Sequence, residues 1–247
     1  MNADGAAGAK LREIMDGLHG LCGSTLVASF DPKFGAPNGS SYGFSSDMER
    51  WTKCLQGRKE NELYASSSRE FAVALLSNFH GQYRNGFKSL RLVLELVLQG
   101  VLLSANLVAL NEWLLNQRDT VWSTIIDRDG GVLSKTFCRA FYPDIAEQAA
   151  QLNTIAATLY RELSECIHGN VPNKIPLPNE IAFHEETFLL WHEKAKTVSY
   201  VTTFALTMRY LNELGADALE DIKPVVLEQM GHIEPVRVSL GGPASNG

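Results

Sequence analysis

Hydrophobic residues recur at three- and four-residue intervals along most of the chain after residue 66. This spacing lines one face of an α-helix, whereas a half-buried strand would alternate apolar and polar residues. It predicts long helices over Ser68–Ser104, Asp144–His168 and His184–Leu214. Strand patterns are almost absent from this part of the chain. We therefore expect an all-α fold, a bundle of long antiparallel helices.

Shorter elements are predicted between the long helices. A helical stretch spans Asn106–Gln117, a short helix follows Asp119, and another spans Leu133–Phe141. Gly169 and Pro172 stand where the second long helix should end, since glycine favours the left-handed cap and proline cannot continue a helix. The predicted elements after residue 66 are therefore successive helices, with no β-strand between them.

The first 65 residues have a less regular pattern. Leu11–Leu21 is predicted to be a short helix, and Thr25–Phe30 a strand or an apolar anchor. Residues 31–46 are rich in glycine, proline, asparagine and serine, which favour loops. Asp47 is expected to cap another short helix. We divide the chain into an irregular N-terminal extension with short helices (1–65), a helical bundle (66–215) and a short C-terminal segment with a disordered tail (216–247).

The composition excludes one class of binding partner and indicates a cellular compartment. The 247 residues carry a net charge of −6, which argues against a broad basic coat for nucleic acid but leaves room for a local basic site. The four cysteines form no CxxC pair, which favours free thiols in a reducing compartment over a zinc knuckle. No secretory signal pattern stands at the N-terminus, so we expect a cytoplasmic protein.

One apolar stretch, Leu92–Leu110, resembles a membrane span in length. It contains Glu95, Gln99, Ser104 and Asn106. Because a central carboxylate is costly inside a bilayer, a core helix of the bundle is the better interpretation. We expect no membrane insertion.

The segment YRELSECIHG contains the residues best suited to chemistry. Arg161 and His168 are seven residues apart, close to two helical turns, so they share one helix face with Ser164 and Glu165 on or near it. Arginine binds phosphate through paired charge-assisted hydrogen bonds, and histidine transfers protons near neutral pH. The pair suits RNA cleavage in which the ribose 2′-hydroxyl attacks its own phosphate. The alternative is structural: an ordinary Arg161–Glu165 pair and a histidine stabilising the helix C-terminus.

This arrangement resembles the R-x4–6-H motif of the HEPN (higher eukaryotes and prokaryotes nucleotide-binding) superfamily, an all-α family. The resemblance implies Arg161 and His168 as catalytic residues, supported by Ser164 and Glu165. It also implies a homodimer that brings two copies of the motif together. Family members often have Asn, Asp or His after the arginine, where this chain has Glu162.

Two further patterns have alternative interpretations. His80, Arg84, Lys88 and Arg91 fall on one side of the first predicted long helix, where they form either an RNA-binding stripe or a solvated, ion-paired face. The segment HEETFLLWH places two histidines eight residues apart, whereas the zinc motif HExxH needs four. We expect no metal site there.

The resemblance thus implies a metal-independent endoribonuclease of bacterial antiphage defence or toxin–antitoxin type. It would need no cofactor, since no dinucleotide or P-loop motif is present. Its expected partners are RNA, a second copy of the chain, and an antitoxin or defence-complex protein. The alternatives are a non-catalytic scaffold, sensor or regulatory subunit of a defence complex, and a helical protein that binds a small ligand or nucleotide.

Overall fold

The chain folds into α-helices joined by turns and short 3₁₀ segments. The computed structural model describes residues 3–119, 121–168 and 175–244. Within these ranges there is no β-strand, which confirms the predicted all-α class. The described helices are α1 (Ala3–Ser29), α2 (Gly35–Cys54), α3 (Asn61–Phe79), α4 (Tyr83–Ser104), α5 (Leu107–Leu114), α6 (Trp122–Ile125), α7 (Lys135–Phe141), α8 (Ala149–His168), α9 (Glu185–Tyr210), α10 (Ala216–Met230) and α11 (Glu234–Ser239). In the described ranges, none of these helices is long and apolar enough to cross a bilayer.

The long helix α9 forms the centre of the bundle. Nearly every residue between Val198 and Tyr210 is buried, and a helix that is covered on all sides belongs to a protein interior. Helices α2, α4, α8 and α10 pack around it. Phe188, Trp191 and Phe204 are fully buried at this centre. Because one side of α8 packs into this core, its opposite side lies at the surface.

The segment predicted as one helix, Ser68–Ser104, is part of a pair of antiparallel helices, α3 and α4. Gly81 separates them with a φ of 72°, which glycine adopts without steric cost. A Cβ on Gly81 would lie 3.0 Å from the carbonyl oxygen of Ala182 and 3.1 Å from the side chain of Thr25. Both helices face the same core, so the hydrophobic spacing continues across the turn and conceals it.

The loop expected over residues 31–46 is mostly helical, because α2 begins at Gly35, and α1 and α2 together occupy most of the first 65 residues. Ser41, Phe44, Met48 and Trp51 are buried at helical intervals and form the inner face of α2, which packs on α3 and α9. Pro37 lies in the first turn of α2, where a missing amide hydrogen is tolerated. Packing of this face overrides the loop preference of the glycine and serine residues.

The C-terminal region is also more ordered than predicted. Residues 216–247 were expected to be a short segment and a disordered tail, yet they contain α10 and α11. Val225, Val226 and Val236 in these helices are buried against the rest of the protein. The last three positions, 245–247, lie outside the described residues. The apolar side chains of this region therefore complete the bundle.

Candidate functional site

The predicted catalytic pair lies on the last two turns of α8. Arg161 is exposed, and it forms no hydrogen bond or ion pair with another described residue. Position 168 is the last residue of α8, and a separation of seven residues places it within about 20° of Arg161 around the helix axis. The side chain of His168 and the predicted cap at Gly169 lie outside the described residues. Arg161 and position 168 thus share one face of α8.

The other faces of α8 are used in packing. Leu159, Leu163 and Cys166 are buried in the core. The Lys194 ammonium donates a hydrogen bond to the Glu162 carboxylate, with 2.6 Å between Nζ and Oε2. This ion pair joins α8 to α9 on a side of the helix about 100° from Arg161. The face that carries Arg161 is therefore the one directed to solvent.

The two predicted supporting residues lie half-buried beside this face. Ser164 Oγ donates a 2.6 Å hydrogen bond to the carbonyl oxygen of Tyr160, one turn earlier in the same helix. Burial raises the pKa of the neighbouring Cys166 thiol to about 11. The positive charge of Arg84 opposes this rise, and the negative charge of Glu165 adds to it. Cys166 is consequently a protonated core thiol at neutral pH. The Ser164 hydroxyl is bound to a backbone carbonyl of its own helix.

The residues of the predicted basic stripe lie on two helices, and they make different contacts. His80 is the C-terminal cap of α3, whereas Arg84, Lys88 and Arg91 lie on α4. Arg84 donates a hydrogen bond to the Cys166 carbonyl oxygen, in the last turn of α8. A cation at a helix C-terminus is favourable, because the final carbonyl groups have no partner within the helix. Arg84 thus attaches the end of α8 to α4.

Arg91 is engaged with its neighbours. Its guanidinium lies 3.3 Å from the Glu95 carboxylate and 4.4 Å from the ring centre of Tyr160. Tyr160 donates a 2.8 Å hydrogen bond to Glu95 and stacks on Trp122 at 3.8 Å between ring centres. Burial, followed by the Glu95 interaction, raises the pKa of Tyr160. These four residues join α4, α6 and α8 in one partly buried cluster.

Lys88 is exposed and forms no hydrogen bond or ion pair with another described residue, whereas Arg84, which is also exposed, is bound to the Cys166 carbonyl oxygen. It borders an open groove of about 670 Å³ between α3, α4 and the end of α8, to which Ile167 also contributes. Six residues separate Arg161 from Ile167, so the two side chains leave α8 about 120° apart. Lys88 thus lies next to the end of α8. It is on the side of α8 that carries Ile167, which is adjacent to the side that carries Arg161.

A buried polar pair elsewhere in the bundle was missed by the sequence reasoning. Ser41 Oγ lies 2.7 Å from His192 Nδ1, and Asn78 Nδ2 lies 3.5 Å from His192 Nε2. Burial lowers the pKa of His192 to about 4, which keeps the imidazole neutral at pH 7. A serine beside a neutral imidazole resembles a nucleophile–base pair, but no carboxylate among the described residues is hydrogen-bonded to this ring. We interpret the pair as a polar link between α2 and α9.

A surface cleft of about 760 Å³ lies beside this pair, between α2, α9 and α10. Asp47 and Glu228 both line it, and the pKa of Asp47 is raised to about 6, first by burial and then by the charge of Glu228. Its size is typical of small-molecule sites. No sequence motif marks it, because its walls come from segments far apart in the chain.

The described residues contain no group of three or more histidine, cysteine or acidic side chains able to hold a metal ion. In the segment HEETFLLWH, His184 caps the N-terminus of α9 by accepting a hydrogen bond from the Thr187 amide, while His192 is the buried histidine that contacts Ser41. No protein-family model, curated protein or solved structure is detectably similar to this chain.

Proposed function

We propose that the protein is a metal-independent endoribonuclease of HEPN type, acting in bacterial antiphage defence or as a toxin. The observation that supports this function is the position of Arg161, exposed on the solvent-directed face of α8 in line with position 168. No described carboxylate forms an ion pair with this guanidinium. A free arginine is available to bind a phosphate through two parallel hydrogen bonds.

In this mechanism, the guanidinium of Arg161 orients the scissile phosphate. His168 accepts the proton of the ribose 2′-hydroxyl as its oxygen attacks phosphorus, and a protonated histidine donates to the departing 5′-oxygen. A homodimer supplies two arginines and two histidines for these steps. The products are a 2′,3′-cyclic phosphate and a 5′-hydroxyl, and no metal ion is required.

The residue after the arginine is compatible with this proposal. Glu162 differs from the Asn, Asp or His that HEPN proteins often have at this position, but its carboxylate is bound to Lys194. It is only 20% exposed and lies between α8 and α9. Its negative charge is therefore compensated by Lys194, on a side of α8 about 100° from Arg161.

The test is cleavage of total RNA and tRNA by the purified protein in the presence of a chelator. We expect wild-type cleavage, and a loss of at least about 100-fold in rate for Arg161→Ala and for His168→Ala. Arg128→Ala is the matched control, since Arg128 is an exposed arginine in the turn after α6. Equal cleavage by wild type and the two site variants would show that these residues are not catalytic.

A second candidate function is a non-catalytic scaffold or regulatory subunit of a defence complex. It is favoured by the groove beside Lys88, where exposed Val73, Leu76, Leu92 and Ile167 form an apolar border. Exposed apolar borders of this kind are typical of protein-binding surfaces. Under this alternative the wild type cleaves no RNA, and Leu76→Asp abolishes assembly of the complex while Arg161→Ala does not.

A further inference from the structure

The first half of α1 extends away from the bundle. Every residue from 6 to 21 is exposed, although the segment is helical throughout. Among the described residues, the helix contacts the bundle near its end, where Thr25 is buried beside Gly81 and Ser29 Oγ donates a hydrogen bond to the Phe79 carbonyl oxygen. More than half of the 27-residue helix is therefore left exposed by the described residues.

The exposed half of α1 carries a regular apolar seam. Leu11, Ile14, Leu18 and Leu21 are spaced by three, four and three residues, as at the core positions of a coiled coil. Their exposed fractions are 60%, 52%, 36% and 48%. The same spacing continues to Thr25, where the helix meets the bundle. The seam is thus an extension of a face that is already buried at its base.

The polar residues of α1 lie on the opposite side. Arg12 Nε and Asp16 Oδ2 form an ion pair at 3.1 Å, one turn apart and away from the seam. This separation of apolar and charged faces is typical of a helix that packs against one partner. It favours a partner helix over a sheet or an irregular loop.

The composition of α1 indicates that the helix needs such a partner. Gly8, Gly17, Gly20 and Gly23 all lie in this helix, and a Cβ on each would meet no atom within 4 Å. Glycine is the poorest helix former after proline, so local propensity does not hold this segment in a helix. Most helical stability in proteins comes from packing of the apolar face. Over residues 6–21, no described residue of the same chain buries this face.

We propose that this seam pairs with the same seam of a second copy of the chain, with the two α1 helices antiparallel. The four apolar positions are symmetric about residue 16, so Leu11 meets Leu21 of the second copy and Ile14 meets its Leu18. A two-fold interface requires such a self-complementary surface. At the centre, Gly17 of each copy lets the backbones approach, and Met15 covers the opposite flank.

The charges also fit a second copy. In this alignment Lys10 lies near Ser24 of the other helix, and no like charges face each other across the seam. The free length of α1 accommodates all four layers before the bundle begins at Thr25. The nuclease proposal also requires a homodimer, so the two proposals are separated by their measurements: association is measured by mass, and cleavage by RNA products.

The test is the solution mass of the full chain by light scattering or sedimentation over a range of concentrations. We expect the wild type to have twice the chain mass of 27.2 kDa. Ile14→Lys combined with Leu18→Lys should be monomeric and lose helical circular dichroism, while its bundle melts as in the wild type. Glu13→Lys, a charge change away from the seam, is the matched control and should remain dimeric.

A monomeric wild type would overturn the proposal and leave α1 for a different protein. A dimer that persists in the double lysine variant would equally overturn it. Orientation is tested in a Cys22→Ser background by oxidising Leu11→Cys together with Leu21→Cys chains. Disulfides between the two variants support the antiparallel arrangement, whereas Leu11→Cys chains that crosslink only with one another overturn it.

Discussion

Replacing Arg91 by alanine tests whether the basic residues of α4 stabilise the bundle or bind RNA. The structure places Arg91 on the ring of Tyr160 and beside the Glu95 carboxylate, whereas Lys88, about one turn earlier, is exposed. Arg91→Ala and Lys88→Ala each remove one positive charge from the same helix. They differ in what the lost side chain contacts.

The expected loss of stability follows from those contacts. Arg91 and Glu95 are 20% and 25% exposed, so solvent screens their ion pair in part. A partly desolvated cation–π contact contributes about 1 kcal/mol, and the ion pair roughly the same. We therefore expect Arg91→Ala to lower the free energy of unfolding by about 2 kcal/mol. For a chain of this size, the corresponding decrease in Tm is roughly 4 to 8 °C.

Lys88→Ala should change stability by less than about 0.5 kcal/mol, as is usual for surface substitutions. Its expected effect is on RNA. If Lys88 contacts a phosphate, its removal should decrease the slope of log binding constant against log salt concentration by roughly 0.7 for single-stranded RNA. Arg91→Ala should leave this slope unchanged. Arg91→Lys keeps the charge but loses the planar guanidinium, so it should be destabilised as well.

Thermal unfolding and binding of a single-stranded RNA at several salt concentrations provide both measurements. The interpretation is wrong if Arg91→Ala melts like the wild type and decreases the salt slope. It is also wrong if Lys88→Ala destabilises the protein to the same extent.

Two further substitutions test the packing and the buried polar pair. Gly100→Ala should destabilise the protein by about 2 kcal/mol despite the better helix propensity of alanine, because its Cβ would lie 2.5 Å from the buried Tyr64 ring. The control is Gly43→Ala, which should be neutral or stabilising because a Cβ there meets nothing within 4 Å. Equal melting temperatures of the two variants would contradict this explanation. The pKa of His192 is lowered from 6.5 to about 4 in the folded protein, so its imidazole is neutral at pH 7. Below pH 6.5 the unfolded chain binds a proton that the folded protein does not bind until about pH 4. About 3 kcal/mol of stability is therefore lost as the pH falls from 6.5 to 4. The stability difference between wild type and His192→Gln should accordingly shrink from pH 7 to pH 4 in urea titrations, and a constant difference would refute the assignment.

The helix periodicity of the sequence was sufficient for the fold class and for the alignment of Arg161 with position 168. Both depend on the local backbone geometry, which repeats every 3.6 residues regardless of what surrounds the helix. The break at Gly81 was not predictable in this way, because α3 and α4 bury the same kind of face on either side of the turn. The helix α2 was missed for a related reason: its buried face outweighs the loop preference of its glycines, and that burial comes from α3 and α9.

The roles of the charged and polar residues were decided by the tertiary structure. Arg91 meets Tyr160 across 69 positions, Glu162 meets Lys194 across 32, and Ser41 meets His192 across 151. A sequence pattern indicates that such residues share a helix face, but it does not identify the residue that faces them from another helix. The sequence by itself thus determined an all-helical chain with an arginine and a histidine on one face of a helix. Only the packing of the helices decided which cations are held inside the bundle and which remain free, because that depends on contacts between residues far apart in the chain.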